Sequence, residues 1–383
     1  MIALVILGVA AGKNSYRCIR RWAKHNEKTL GKHLSLSGGI PSVATISRIM
    51  GSIDQELFVD LFTDWMSRII NTGGRHISVD GKGLCATALK VYGQRTPYIL
   101  NAVDVETALV VGELPIPEKK NEISSIPMLL ETLNLNKSLV TIDAIGTNKT
   151  IIGVIKELGG NFLLQVKHNN PELYAEIARL FETLNSERDN EPEEFKKNYG
   201  DNYDMYENSE VNRERHEYRK CECYREKEEI KAFKQKISYI ECVGQLTSVR
   251  INIARDKAGN DVSPDLAEVM RSTKGSDEAD SAVQKIGIIT DCVMDAMTMA
   301  DYKRKHWTVE NSLHYILDDT YDEDHSTIRR AKTGMTVVRK IAYNIIRLLM
   351  LKTGIKKFRE VYDEVTADWE IATDYIFKPV PAI

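Results

Sequence analysis

Residues 303–318 read KRKHWTVENSLHYILD, and this stretch organises the interpretation of the whole chain. It contains no Gly or Pro, and its apolar residues recur at helical spacing, which predicts an amphipathic helix. Residues three and four apart stack on one side of a helix, which predicts a polar stripe of Lys303, His306, Glu310 and His314. A carboxylate among imidazoles and basic residues is costly unless it is solvated, paired or bound to a metal. A surface helix with a mixed-charge face is the alternative.

The charge of the chain is unevenly distributed. Its 383 residues have a formal net charge of −3, and their composition is that of a globular protein with two or three domains. Two basic segments, residues 13–48 and 329–359, flank an acidic one at 187–210. A phosphate backbone senses local patches, so these ends could contact DNA; a solvated helix face is the alternative for each. No stretch is apolar enough to span a bilayer, and the six scattered cysteines favour a cytoplasmic protein.

Periodicity divides the chain into five predicted parts. Residues 1–70 are expected to form a helical, basic domain that binds DNA, with a helical packing or dimerisation unit as the alternative. Residues 71–170 and 299–350 are expected to form one α/β core, interrupted by a β-rich insertion at 171–298. Residues 351–383 are expected to form a C-terminal tail.

Within the core, the pattern predicts an α/β sheet of mixed direction. A three-strand meander at 76–82, 98–104 and 108–114 is followed by a helix at 122–133 and a strand at 138–146. A helix at 150–158 and a strand at 161–167 complete this part. In the insertion we expect a helix at 172–184, a loop-like acidic stretch at 186–208, and strands at 215–225, 237–243 and 246–253. A later amphipathic helix is expected to expose Arg339, Lys340 and Arg347.

Three carboxylates stand out by their position. Asp80 and Asp143 each end a predicted strand, and Glu310 lies on the late helix. Strand ends are where open α/β sheets place ligands, although an Asp after a strand is also a common turn former. Converging acids need cations, and oxygen ligands favour Mg²⁺, with Mn²⁺ as a substitute. Two such ions would support an in-line phosphoryl displacement.

Four motifs carry a family resemblance. They are VDGK at 79–82, KNEI at 120–123, VTIDAIG at 140–146 and HWTVENSLHY at 306–315. In this order they closely resemble the ISAs1 family of insertion-sequence transposases, within the IS4-like DDE enzymes. The resemblance implies an RNase H-like mixed sheet with flanking helices, a β-rich insertion before the last acid and an N-terminal helical domain. It also implies Asp80, Asp143 and Glu310 as a metal-binding DDE triad.

Further residues are candidates for contact with DNA. They are Lys82, Lys167, Asn170, Arg304, His306 and His314. Lys82 could hold a phosphate as a point charge, with a turn lysine as the equal alternative. Trp307 is expected in the core rather than stacked on a base. The Tyr, Arg and Lys of related IS4 enzymes correspond to Lys303, His306 and Leu317, so those roles are not transferred.

The resemblance implies a transposase that cuts the terminal inverted repeats of its element with two Mg²⁺ ions and joins them to target DNA. Two ends must be cut together, so a homodimer at the nucleoid is expected. A catalytically silent protein that only binds the element ends is one alternative. An RNase H-like nuclease without strand transfer is another.

Overall fold

The computed structural model describes residues 1–84, 98–117, 119–212, 214–225, 227–255, 260–266, 269, 283–326, 328 and 332–383. Its contacts divide the chain into two compact units. Unit 1 comprises residues 1–139, 157–160 and 307–383, and unit 2 comprises residues 140–156 and 161–306. The five-part division expected from the sequence stays a prediction. In the part of the chain described here, no helix is long and apolar enough to cross a membrane.

Unit 1 opens with five helices. They are α1 (Ile2–Ala10), α2 (Tyr16–His25), α3 (Glu27–Leu30), α4 (Val43–Gly51) and α5 (Gln55–Ile69). Apolar on nearly every side, α1 is buried from Leu4 to Ala10 and packs against α2. A helix that is hydrophobic all round has to be covered by other elements.

Three antiparallel strands follow in unit 1. They are β1 (His76–Gly83), β2 (Tyr98–Asp104) and β3 (Val110–Ile116), in the order β3-β2-β1. Helix α6 (Glu122–Glu131) packs against β2 and β3. The register places Asp80 opposite Asn101. The predicted meander and the helix after it are therefore confirmed.

Unit 2 contains a longer sheet. Its strands are β4 (Leu139–Ile142), whose first residue belongs to unit 1, β5 (Asn161–Val166), β6 (Tyr203–Asn212), β7 (Arg215–Tyr224), β8 (Cys242–Asn252) and β9 (Val283–Thr290). Their order is β4-β5-β9-β8-β7-β6, and pairing is antiparallel from β5 outward. Helix α7 (Lys149–Glu157) lies between β4 and β5 in the chain. Because β5 pairs with β9, the strands of the insertion extend this sheet instead of forming one of their own.

The insertion is also more helical than its composition indicates. The stretch 186–208, expected to be loop-like, contains the end of α8 (Pro171–Asn190), all of α9 (Pro192–Tyr199) and the start of β6. Pro192 begins a helix, where its missing N–H costs nothing. The strand expected at 237–243 is also wrong for most of its length: α10 (Lys227–Lys236) is followed by β8 from Cys242.

Residues 303–318 are mostly helical, as predicted, with a π-helical turn in the middle. Helix α11 (Ala296–His306) ends unit 2, and unit 1 resumes with a π-helical turn at Val309–His314 and helix α12 (Tyr315–Asp319). The turn buries Val309 and Leu313 and packs against β1. Single π-turns inside helices are frequent at functional sites.

Helices α13 (Lys332–Thr353), α14 (Phe358–Ala367) and α15 (Thr373–Phe377) complete unit 1. Helix α13 packs against α1 and α5. The segment expected to be a tail is folded onto the first helices: the Trp369 ring lies edge-on to Trp22 at 5.4 Å, and Trp369 Nε1 donates to Asn26 Oδ1 at 3.2 Å. The described residues therefore form a mixed α/β protein, as the sequence predicted.

Candidate active site

Asp80 was expected to end a strand, but it lies within β1, directly after the buried first half of the strand. Ile77 and Val79 of β1 are buried, and the Asp80 side chain is 19% exposed. The following Gly81 is required by close packing, because a Cβ there would meet the Tyr98 ring and lie 2.7 Å from Glu122 Oε1. Tyr98 donates its hydroxyl proton to the Gly81 carbonyl at 2.9 Å. The backbone after Asp80 is therefore held in place from β2.

His314 brings an imidazole to this carboxylate. Its Nδ1 lies 3.5 Å from Asp80 Oδ2, and its side chain is 13% exposed. Burial, together with the positive charges of Lys82 and Lys340, lowers the pKa of His314 to about 3. The ring is therefore neutral at pH 7, and its contact with Asp80 is a long polar contact and no ion pair.

The tautomer of His314 follows from its other neighbour. The Asn101 amide nitrogen lies 3.3 Å from His314 Nε2 and 3.4 Å from the Ile99 carbonyl oxygen. A carbonyl oxygen only accepts, so the amide nitrogen faces both groups and donates to Nε2. The ring proton is then on Nδ1, directed at Asp80.

Glu310 lies on the same π-turn and is exposed. Arg347 of α13 donates from Nη2 to the Ser312 carbonyl at 3.2 Å, and this hydrogen bond joins the turn to α13. Unit 1 thus packs the turn that carries Glu310 and His314 against the strand that carries Asp80.

Lys82 is engaged by two carboxylates. Its Nζ binds Asp318, and Glu323 Oε2 lies at 3.1 Å. Burial lowers the pKa of Lys82, but the charges and hydrogen bonds of Glu323 and Asp318 outweigh it and raise the pKa above its ordinary value. The ammonium is therefore charged. Its contact with DNA stays a prediction, and a phosphate there would compete with two protein carboxylates.

Two more cations of this region are buried, contrary to expectation. Arg339 and Lys340 on α13 are 2% and 1% exposed. Arg339 Nη1 lies 3.6 Å from Glu323 Oε1, and Lys340 Nζ binds the buried Glu113 of β3. Burial, opposed by Lys340, raises the pKa of Glu113. The prediction that Arg339, Lys340 and Arg347 are exposed was wrong, because Glu323 and Glu113 pair with the first two inside the fold and Arg347 is half-buried.

Asp143, in unit 2, has a local role. Its Oδ1 accepts the Ile145 backbone N–H at 3.0 Å and caps one 3₁₀ turn at Ala144–Gly146. Asn169 Nδ2 donates to the Ala144 carbonyl at 2.7 Å and ties the turn to the end of β5. Asp143 therefore stabilises this turn, and its side chain is half-buried. Its role as a metal ligand stays a prediction.

The remaining candidates of unit 2 lie on different elements. His306 is buried, and its Nδ1 lies 3.1 Å from Thr141 Oγ1 on β4. Arg304 is exposed, with Nη2 3.3 Å from Glu210 Oε1. Lys167 is exposed at the end of β5, and Asn170 is the half-buried residue before α8. Their contacts with DNA stay predictions.

Trp307, the first residue of the chain's return to unit 1, was expected in the core. Its side chain is 43% exposed. That expectation was wrong, because the apolar stripe of this helical stretch runs through Val309 and Leu313 instead.

The donor chemistry fits a hard divalent cation. Asp80 and Glu310 in unit 1 and Asp143 in unit 2 offer carboxylate oxygens, which Mg²⁺ and Mn²⁺ prefer. Across the residues that the structure describes, no three His, Cys, Asp or Glu side chains are grouped so as to hold an ion. The three-acid metal set stays a prediction.

Sequence reasoning missed the residues around Asp80. Asn101 and Glu113 were not singled out, although both are buried. One signal was available: Asn101 and Glu113 are polar residues within apolar strands, where an unpaired polar group is costly. Their partners lie more than 200 residues away, so periodicity could not supply them.

Comparison with known proteins gives matches along most of the chain. A family model described as "Transposase DDE domain" matches residues 72–345, and one described as "DDE_Tnp_1-associated" matches residues 1–66. "Putative transposase YncI" of Escherichia coli O157:H7 is 28% identical over 366 residues, which cover 94% of this chain and 85% of that protein. "H repeat-associated putative transposase YhhI" of Escherichia coli strain K12 is 27% identical over 361 residues, covering 93% and 87% respectively.

Among solved structures, the piggyBac transposase synaptic complex with hairpin DNA matches with a TM-score of 0.37 and 9% sequence identity. The match covers 81% of this chain and 55% of that one.

Proposed function

The chain belongs to the transposase DDE-domain family, and we propose that it cuts DNA at the terminal inverted repeats of a mobile element and joins the ends to target DNA. The resemblance inferred from its motifs is thereby confirmed at the level of DDE transposases. The observation that carries the proposal is the family match across both the strand of Asp80 and the turn of Glu310. An RNase H-like core is part of the proposal, supported by the β1–β3 meander and the β4–α7–β5 succession. The ISAs1 subtype is also part of it, supported by the H repeat-associated relative.

Asp80, Asp143 and Glu310 are proposed to hold the metal ions. When bound, two Mg²⁺ ions, or Mn²⁺ in their place, would activate the attacking hydroxyl and stabilise the leaving oxygen. The carboxylates of this chain would set the positions of these ions. Asp143 enters the set through the family motif, and its cap to Ile145 fixes its orientation.

His314 is proposed as a positioning residue for Asp80. Its Nδ1 proton faces the carboxylate and Asn101 fixes the ring from the other side. Such outer contacts orient a ligand carboxylate, and their loss commonly costs about 10–100-fold in activity or metal affinity. This role differs from the DNA contact expected from the sequence, and a neutral, mostly buried ring fits it better.

The partners proposed are the two element ends, target DNA and a second copy of the chain, because both ends must be cut together. The site of action is the nucleoid. Related proteins carry transposase names along nearly the same length, which supports DNA as the partner.

The test uses the full chain and a linear duplex that carries the sequences bordering its gene on both sides. We expect strand cleavage in Mg²⁺, cleavage in Mn²⁺, and none after chelation with EDTA. Joined products with a second duplex would identify strand transfer. Specific binding without cleavage would favour the catalytically silent alternative, and cleavage without joining would favour the nuclease.

A further inference from the structure

Helix α2 has one face fixed against the protein. Ser15 caps its start by accepting the Cys18 N–H at 3.2 Å, and Asn26 Nδ2 donates to the Trp22 carbonyl at 2.9 Å at its end. Tyr16, Ile19 and Ala23 are buried. A Cβ at Gly8 of α1 would lie 2.9 Å from the Ile19 side chain, so the two helices approach closely. The orientation of α2 in unit 1 is therefore well determined.

The opposite face of α2 is a stripe of cations, Arg17, Arg21 and Lys24, which we call the α2 basic stripe. At about 100° per residue, these three side chains fall within an arc of about 60°, opposite the buried face. All three are exposed. Within the described part of the chain, none of them has an ion-pair or hydrogen-bond partner for its side chain.

Three other exposed cations of unit 1 are each paired with an acid. Arg68 pairs with Asp64 at 2.6 Å, Arg359 with Asp363 at 3.1 Å, and Lys378 with Asp374 at 2.7 Å, each across one helical turn. Residues 1–26 contain five Lys or Arg and no Asp or Glu. Like charges one turn apart destabilise a helix, so the α2 basic stripe opposes folding unless a polyanion binds it.

We propose that the α2 basic stripe binds the phosphate backbone of duplex DNA without reading its sequence. The stripe is about 10 Å long, and each strand of a duplex presents a phosphate about every 3.4 Å of axis, so two or three phosphates lie within reach. The inference deepens the proposed function, since it rests on DNA as the substrate. It assigns to α2 the sequence-independent share of that binding.

The test compares two triple variants of the full chain. Arg17→Gln/Arg21→Gln/Lys24→Gln removes the stripe, and Arg68→Gln/Arg359→Gln/Lys378→Gln removes the same residue types from paired positions. Gln retains helix propensity. Binding to a fluorescent duplex of arbitrary sequence is measured by anisotropy between about 50 and 200 mM salt. The stripe variant should bind roughly 10-fold more weakly, and its salt slope should be shallower by about 0.9 for each phosphate that the stripe neutralises in the wild-type chain.

The control variant should bind within about twofold of the wild-type chain, since its cations contact their own acids. Equal weakening in both variants would reduce the effect to net charge and overturn the proposal, as would tighter binding to single-stranded RNA than to the duplex. Arg17→Lys/Arg21→Lys, which retains the charge and is the safer variant for folding, should bind like the wild-type chain; weakening equal to that of the stripe variant would also overturn it.

The outcome is separable from that of the proposed function. If binding depends on the stripe but no cleavage occurs, the proposed transposase activity is contradicted and the proposed DNA contact of α2 is supported. If cleavage occurs but binding does not depend on the stripe, the transposase activity is supported and the DNA contact of α2 is contradicted.

Discussion

Asp80 and Asp143 look alike in the sequence but are held by different kinds of contact. Each follows a run of buried residues that includes β-branched ones. Asp143 accepts a hydrogen bond from the backbone N–H of Ile145, two residues later. Asp80 contacts the imidazole of His314, 234 positions later in the chain. The ion pairs near it, Lys82 with Asp318 and Lys340 with Glu113, join similarly distant segments. The turn at Asp143 is thus specified locally, while the surroundings of Asp80 exist only in the folded unit. Variants in the two regions should fail in different ways.

The largest effect on stability is expected from Lys340→Met, which breaks the buried ion pair between Lys340 and Glu113. It leaves the buried Glu113 carboxylate without its cation, which should destabilise the protein by about 3–5 kcal/mol. Urea denaturation followed by tryptophan fluorescence measures the change. The double variant Glu113→Leu/Lys340→Met, which removes both charges, should recover most of the stability. If the double variant is as unstable as the sum of the single ones, the pair is not coupled.

His314 should affect cleavage more than stability. In His314→Asn, the amide nitrogen can take the place of Nδ1 and donate to Asp80, whereas the amide of His314→Gln reaches the Nε2 position instead. The Gln variant should lose about 10-fold or more in kcat with little change in KM, and the Asn variant should retain most activity. Equal losses of kcat in both would show that the proton on Nδ1 is not what matters.

The smallest effect on stability is expected at Asp143. Asp143→Ala removes the acceptor that caps the Ala144–Gly146 turn and should cost about 1 kcal/mol, by analogy with a helix cap. Asp143→Asn retains an oxygen at that position, so its unfolding midpoint should stay near the wild-type value while cleavage is lost. An Asn variant that cleaves normally would restrict Asp143 to its structural role.

Much of the fold could be predicted because local signals determine it. Short β-branched or apolar runs marked β1, β2 and β4, and the apolar stripe of residues 303–318 marked the helical segment of Glu310. The acidic stretch 186–208 was misassigned because charge was equated with loop, although Pro192 marks a helix start. Strand β9 was missed because half of it is apolar and half polar.

The acids proposed for the site come from sequence patterns, whereas the residues that contact them do not. Asp80 and Glu310 were proposed from strand position and helical spacing; the structure packs the π-turn of Glu310 against β1, and their role in metal binding stays a prediction. Lys82 and Lys340 were taken as DNA-facing or solvated because their acids, Glu323 and Glu113, lie more than 200 residues away in the chain. The sequence around a basic residue shows whether an acid is available one helical turn away. It does not show whether an acid from a distant part of the chain pairs with that residue.

The most direct test of the acid-dependent reaction is the cleavage rate of the duplex with both gene borders, measured in Mg²⁺ for Glu310→Gln. Glu360→Gln on α14, where the exposed Glu360 pairs with Lys357 at 3.0 Å, is the matched control. The rate of Glu310→Gln should fall by about 10³-fold or more, because a neutral amide is a poor ligand for a hard cation. Glu360→Gln should cleave like the wild-type chain. Cleavage by Glu310→Gln at the wild-type rate would contradict the account.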